Sequence, residues 1–240
     1  MENILDDIKR YLEWYGEIYG RNLYIDAELN PVNFLEQEVK KPEKHIIRRS
    51  QNQQQVINQY SPELKSFYEQ IHTCQKCHLG STRKNFVFGV GNPKADIMFV
   101  GEAPGQDEDE KGIPFVGRAG KLLDKMLAAI GLSRNDVFIA NVLKCRPPQN
   151  RDPLPDEILQ CEPYLKKQME LIEPKLLVAL GRIAGQVLLK RNDSLSILRQ
   201  ETLLYEKTPL IVTYHPAALL RNPQWKRNAW MDFKKIKKIL

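Results

Sequence analysis

Apolar residues along the chain fall into two alternating patterns, and the alternation predicts an architecture. Short apolar runs occupy residues 95–101, 136–142, 175–180 and 209–214, and Gly101, Asn141, Gly181 or a His215-Pro216 turn marks the end of each. Runs of this length bounded by turn residues read as buried strands. Between and after them, apolar residues recur at i, i+3 and i+4 over about 118–130, 155–172, 182–190 and 226–239, which predicts helices. A further helix is predicted over Pro62–Ile71, with Ser61 as its N-cap and proline in the first turn. Strands and helices in alternation predict an α/β fold: three αβα layers around a central four-stranded parallel sheet, covered on both faces.

The first quarter of the chain reads differently. Ile4, Ile8, Tyr11, Leu12 and Tyr15 share one helical face, which predicts a helix ending near Gly20. Residues 40–60 carry Lys-Lys-Pro, Arg-Arg-Ser and Gln-Asn-Gln-Gln-Gln with few apolar anchors, and read as a linker. The division expected is therefore 1–60 as a helical N-terminal extension and linker, and 61–240 as the α/β domain. The extension is an add-on or a docking segment for a protein partner.

A net charge of +6 over 240 residues agrees with a polyanionic partner without demanding one. No apolar run approaches membrane-span length and no signal pattern opens the chain, so a cytoplasmic, monomeric protein is expected.

The polar residues that follow the strands all fall at the sheet's carboxyl edge, where open α/β sheets build their sites. Glu102 follows the first strand and faces the cleft. Glu108 lies further along a loop rich in glycine and carboxylates, and Asp107, Asp109 and Glu110 read as its solvated part. Phe115, between Pro114 and Val116, suits either the core or a platform for a flat ligand. Asn141 ends an apolar strand, and its amide matches the edge of a pyrimidine or caps a turn. His215 stands between the last strand and Pro216-Ala217-Ala218-Leu219-Leu220-Arg221. There Leu219 and Leu220 read as exposed, suited to a wedge in DNA beside a phosphate contact from Arg221, or else as packing for the last helix. Lys226, Arg227, Lys234, Lys235, Lys237 and Lys238 make that helix basic: a solvated face or a nucleic-acid contact.

Cys74 and Cys77 form a two-residue-spaced pair, Cys145 follows the second strand and Cys161 lies on the next helix. Four thiolates hold zinc or a [4Fe–4S] cluster, and the spacing does not choose between them. Either group staples three elements together.

The runs Gly101-Glu102-Ala103-Pro104-Gly105, Gly112-Ile113-Pro114-Phe115-Val116-Gly117, Asn141-Val142-Leu143-Lys144-Cys145-Arg146-Pro147-Pro148 and His215-Pro216-Ala217-Ala218-Leu219-Leu220-Arg221 resemble the family 4 (type-4) uracil-DNA glycosylases. These are the iron–sulfur members of the uracil-DNA glycosylase superfamily, and the likeness covers roughly residues 70–240. It implies a [4Fe–4S] cluster on Cys74, Cys77, Cys145 and Cys161, and uracil-containing DNA as the partner. It also implies a monofunctional hydrolase of base excision repair that flips uracil out of DNA and leaves an abasic site. Uracil would stack on Phe115 and be read by Asn141, with His215 bonding O2 and stabilising the departing base. Glu102 and Ala103 would line the pocket, Glu108 would wall the C5 side or order water, and Leu219 would fill the gap left by the flipped nucleotide. The best-known branch of the superfamily has a water-activating Asp at the position of Ala103, so the candidates here are Glu102, Glu108 or electrostatics without a dedicated base.

Three alternatives stand beside this reading: excision of another deaminated base, a non-turnover binder of uracil-DNA, and an iron–sulfur accessory factor docking through residues 1–60. A trapping relative carries a His-containing basic insertion before the phenylalanine. Here Asp109-Glu110-Lys111-Gly112 runs straight into Ile113-Pro114-Phe115, against the binder.

Overall fold

Four of the apolar runs lie side by side as parallel strands because each is apolar on both faces and is buried only inside a sheet covered above and below. In the computed structural model, which describes residues 51–239, they are β2 (Ile97–Gly101), β3 (Phe138–Asn141), β4 (Leu176–Leu180) and β6 (Thr208–Thr213). Every residue of β2, β3 and β4 is buried. Two short antiparallel strands close the edges, β1 (Val90–Gly91) on β3 and β5 (Leu203–Tyr205) on β6, giving the order β1-β3-β2-β4-β6-β5. The four-stranded parallel sheet is thus present, extended to six strands by edges too short to read from sequence.

The helices are α1 (Gln51–Ile57), α2 (Pro62–Ile71), α3 (Leu79–Thr82), α4 (Gln106–Lys111), α5 (Arg118–Ala129), α6 (Pro155–Ile172), α7 (Arg182–Leu189), α8 (Leu195–Leu198), α9 (Pro216–Arg221) and α10 (Lys226–Ile239). Ser61 caps α2 as expected, its Oγ accepting from Leu64 N at 3.3 Å. One face of the sheet packs Phe99, Ile139, Val178 and Ile211 against Leu123 and Leu127 of α5 and Phe233 and Ile236 of α10. The Phe99 and Phe233 rings stack with centroids 6.0 Å apart.

The chain divides into two compact units, Met1–Arg48 and Arg49–Leu240. The helix expected within residues 1–39 lies outside the described residues, as does most of the extension considered for docking. Residues 51–60 correct the linker reading. They form α1, Ile57 is buried, the Gln53 side chain donates to Phe86 O, and Tyr60 Oη donates to Gly89 O at 2.8 Å. A glutamine-rich stretch folds here because Val56, Ile57 and the side chains of Gln53 and Tyr60 anchor it to the domain.

Among the described residues, no helix is long and apolar enough to cross a membrane.

Candidate active site

Chain order dictates where the cleft opens. From β2 the chain moves out to β3, then crosses back to β4 and on to β6, so its direction reverses between β2 and β4. Open α/β sheets bind ligands at such a switch, beyond the carboxyl ends of the strands. Glu102, Asn141, Gly181 and His215 follow or end those four strands, as the sequence predicts.

Asn141 pairs with Gly101 in the β2–β3 register. It is 2% exposed, and its Oδ1 has no hydrogen-bond partner among the described residues. Leaving a buried acceptor unmade costs about 1–3 kcal/mol, so this oxygen is free to accept a hydrogen bond from a donor other than the described residues. The neighbours are tight. A Cβ on Gly101 would stand 2.3 Å from Asn141 Oδ1 and 2.7 Å from Phe115 Cζ, so only glycine lets the strand end, amide and ring share this corner.

Phe115 is 4% exposed, with its ring centroid 5.5 Å from that of His215. Its φ of 53° is left-handed, a conformation that costs a bulky residue of order 1–3 kcal/mol unless the surroundings fix it. They do so from both sides. Arg134 donates to Pro114 O at 3.1 Å and also to Phe115 O, while its Nε pairs with Asp124 at 2.6 Å. Glu108 takes the next two amides, its Oε1 accepting from Val116 N at 2.8 Å and Gly117 N at 3.0 Å. The other carboxylate oxygen accepts from Gly105 N at 3.2 Å, satisfying the N-cap amide at the start of α4. Glu108 therefore spends its acceptors on the backbone that carries Phe115.

His215 is half-buried at the N-cap of α9, with Nδ1 accepting from Ala217 N at 3.1 Å. An accepting Nδ1 leaves the proton on Nε2, so the ring is a neutral donor. Burial, and then the nearby Arg221 cation, push its pKa down to about 4. Glu102 is also half-buried. Burial first and Asp152 second push its carboxyl up to about 7, with Arg182 working against them. Ala103 is half-buried beside it.

Two expectations are corrected. Leu219 is not exposed: it is 1% exposed and packs with Tyr214 and Ala229, whereas Leu220 is 37% exposed beside the exposed Arg221. The helical turn of α9 points neighbouring leucines in different directions. Asp109 is not solvated: it is 4% exposed, and its Oδ1 accepts from Lys84 N at 2.9 Å and Asn85 N at 3.2 Å. Asp107 and Glu110 are exposed, as expected.

The four cysteines gather at a second place. Cys74, Cys77, Cys145 and Cys161 line one pocket, with Arg83 and Tyr164 among its walls. Donors point at the sulfurs: Lys144 N to Cys161 at 3.2 Å, Tyr164 Oη to Cys74 at 3.2 Å and Arg83 Nη1 to Cys145 at 3.4 Å. Burial raises Cys145 to about 11 and Cys161 to about 12, so the bare thiols stay protonated and only a bound cation draws them to thiolates. No three His, Cys, Asp or Glu side chains among the described residues stand close enough to hold a single metal ion.

Sequence reasoning missed Arg134 and Lys144. Lys144 is fully buried, its Nζ donating to Asn141 O at 2.8 Å and Gln168 Oε1 at 2.6 Å. Its backbone touches Cys161 and its side chain holds Asn141, so it joins the cysteine pocket to the cleft. A lone lysine in the apolar run Val142-Leu143-Lys144-Cys145 was the available signal.

Similarity to known proteins places the chain that builds this cleft in a family. A profile described as "Uracil DNA glycosylase superfamily" matches residues 88–234, and the chain belongs to that superfamily. Within it, the chain falls with the type-4 uracil-DNA glycosylases. That of Archaeoglobus fulgidus is 52% identical over 181 residues, covering 72% of this chain and 91% of that protein. That of Sulfurisphaera tokodaii is 48% identical over 185 residues, covering 73% and 84%. That of Thermotoga maritima is 41% identical over 176 residues, covering 72% and 92%.

Proposed function

We propose that the chain removes uracil from DNA by hydrolysing its N-glycosidic bond, leaving an abasic site for base excision repair. The observation that carries this reading is the unpaired, buried Oδ1 of Asn141. It is an acceptor, and uracil presents a donor, N3–H, beside the acceptor O4, which suits the amide's Nδ2. Cytosine presents an acceptor at N3, so it would leave Oδ1 unmet and add a repulsion. A site built on a specific hydrogen bond rejects the wrong partner strongly because its own buried group is stranded.

The chemistry follows from the neighbours. The base must leave the stack before its glycosidic bond is reachable, and Phe115 offers the face on which it rests. The C1′–N1 bond breaks with its electron pair going to N1, giving an oxocarbenium-like sugar and a uracil anion. The Nε2–H of His215 donates to O2 as that charge develops, and a preorganised donor in a site sheltered from water is worth several kcal/mol. Water then adds to C1′ and its proton goes to Glu102, whose raised pKa suits a base near neutral pH. Glu108 is assigned to positioning: its hydrogen bonds hold Phe115, which removes it from the contest for the water. In this reading Ala103 lines the pocket, Arg221 meets a phosphate, and the exposed Leu220 fills the gap left by the flipped nucleotide in place of the buried Leu219.

The thiolate set of Cys74, Cys77, Cys145 and Cys161 fits an iron–sulfur cluster. All donors are sulfur, and N–H and O–H groups face the sulfurs. A [4Fe–4S] cluster would supply cross-linking of the α2–α3 connection, the β3–α6 connection and α6, and no step of base removal passes through it. Cys161→Ser is expected to lose both iron and inorganic sulfide and to unfold at lower temperature, read by elemental analysis and thermal melting.

A second expectation concerns pH. Glu102 acts as base only when ionised, so the rate of abasic-site formation should rise with pH through a midpoint near about 7. Glu102→Gln should flatten that limb. A wild-type profile with no limb in that region removes Glu102 from the role.

The function itself is tested with oligonucleotides carrying one uracil, thymine, hypoxanthine or xanthine, followed by alkaline cleavage. Cleavage at uracil alone is expected. Cleavage at hypoxanthine or xanthine instead moves the assignment to another deaminated base.

A further inference from the structure

The surface that continues from the His215 turn is unlike the rest of the molecule. After α9 the chain makes one short turn over Pro223–Trp225 and enters α10. The Trp225 ring lies 5.5 Å from Tyr214, the residue before His215, so the start of α10 is fixed to the same sheet edge as the cleft. Asn228 reaches Tyr214 Oη at 3.4 Å, and Arg199 pairs with Asp232 at 2.8 Å while donating to Tyr214 Oη at 3.1 Å. The helix buries Ala229, Asp232, Phe233 and Ile236 on one side. On the other it exposes Lys226, Arg227, Lys234, Lys235, Lys237 and Lys238 around Trp230 and Met231, which are 43% and 50% exposed.

Among the described residues, the charge on this face is uncompensated. Asp232, the one carboxylate of α10, is buried and committed to Arg199 and Thr213. None of the six cations makes an ion pair among the described residues. Solvated helix faces ordinarily alternate charge signs, and this one does not. From Lys226 to Lys238 the face is about 18 Å long at 1.5 Å per residue, the length of about five phosphates of one strand.

We propose that the exposed face of α10 is a second DNA contact, binding the phosphate backbone of the duplex that flanks the flipped nucleotide. This deepens the uracil-DNA reading and rests on it for the identity of the polyanion. Continuity with the His215 turn and Arg221 favours DNA, because a strand whose nucleotide enters the cleft must pass this edge. The contact carries no sequence information. It adds affinity and holds the register of the strand while the base is out.

The test measures binding of the full-length chain to a uracil-free duplex over a range of salt concentrations, for wild type and two variants. Lys226→Gln/Arg227→Gln/Lys234→Gln/Lys235→Gln removes four cations from the face. Lys65→Gln/Lys94→Gln/Lys167→Gln/Lys175→Gln removes four exposed cations from other surfaces. The slope of log affinity against log salt is expected to fall in magnitude by about 3 to 4 in the first variant, at roughly 0.9 per phosphate contact, and by less than about 1 in the second. Thermal melting checks that both are folded, and glutamine keeps helix propensity near that of lysine. Equal slopes in wild type and the first variant overturn the proposal and leave the face to an acidic protein partner. Equal losses in both variants overturn it too, since they show diffuse charge rather than a site. Uracil excision by the wild-type chain is scored separately, so a failure of the enzyme reading is distinguishable from a failure of this contact.

Discussion

Asn141→Ala is expected to slow uracil removal roughly 10²- to 10⁴-fold, the loss of two hydrogen bonds at about 1–3 kcal/mol each for the polar groups left unpaired on the base. The same variant should melt no lower than wild type. No described residue pairs with the amide oxygen, so deleting it breaks no hydrogen bond within the described protein. Opposite directions in activity and stability separate a reading residue from a structural one. Refusal of thymine should survive, because thymine and uracil share the edge that Asn141 meets and differ only by the methyl at C5. Single-turnover rates on uracil, together with a melting curve, check all three statements. A variant that melts much lower than wild type would show that the amide has a structural partner rather than a reading role.

His215→Ala is expected to cost about 10²- to 10³-fold in the single-turnover rate, the range for removing one preorganised donor from a developing anion. The neutral form is the working one. Its pKa of about 4 lies below the ordinary histidine value, so the ring stays uncharged at neutral pH and through mild acid. Below about 4 the proton added at Nδ1 would break the bond from Ala217 N, so activity owed to this residue falls there as pH drops. His215→Gln places an amide donor on a side chain of similar reach and should recover part of the loss. If alanine and glutamine were equally impaired, the donor role would be wrong and packing against Phe115 would be the residue's contribution.

Much of this site was legible in the sequence because it lies at strand ends. A buried parallel strand reads as an apolar run, and the first polar residue after it marks the carboxyl edge; Asn141 and His215 are visible that way. Glu102 is visible for the same reason. Other parts were hidden because they depend on local backbone geometry. The acidic loop hides α4, whose residues Gln106–Lys111 carry no apolar period at all. What forms it is a glycine N-cap, the Glu108 carboxylate on the Gly105 amide and the left-handed Gly112 at its end. The same helix turns Asp109 inward, and α9 does the same to Leu219, so both read as exposed when taken as loop.

Long-range partners were hidden for another reason. Arg134 stands 19 residues from Phe115, whose carbonyl it holds, and Lys144 stands 24 from Gln168. No periodicity links such positions. Gly120 illustrates the point: a Cβ there would stand 1.7 Å from Phe115 O, so this glycine lets the aromatic loop lie against α5. In sequence it is one more glycine in a helix, where it is unfavourable by itself.

The central claim is that the cleft of Phe115, Asn141 and His215 releases uracil catalytically. The most direct measurement is free uracil produced over time from a molar excess of uracil-containing DNA. The account predicts uracil well in excess of protein, with no thymine from a matched control. Uracil-DNA held by the protein, with no more than one equivalent of base released, would contradict it and make the cleft a binding site rather than a catalytic one.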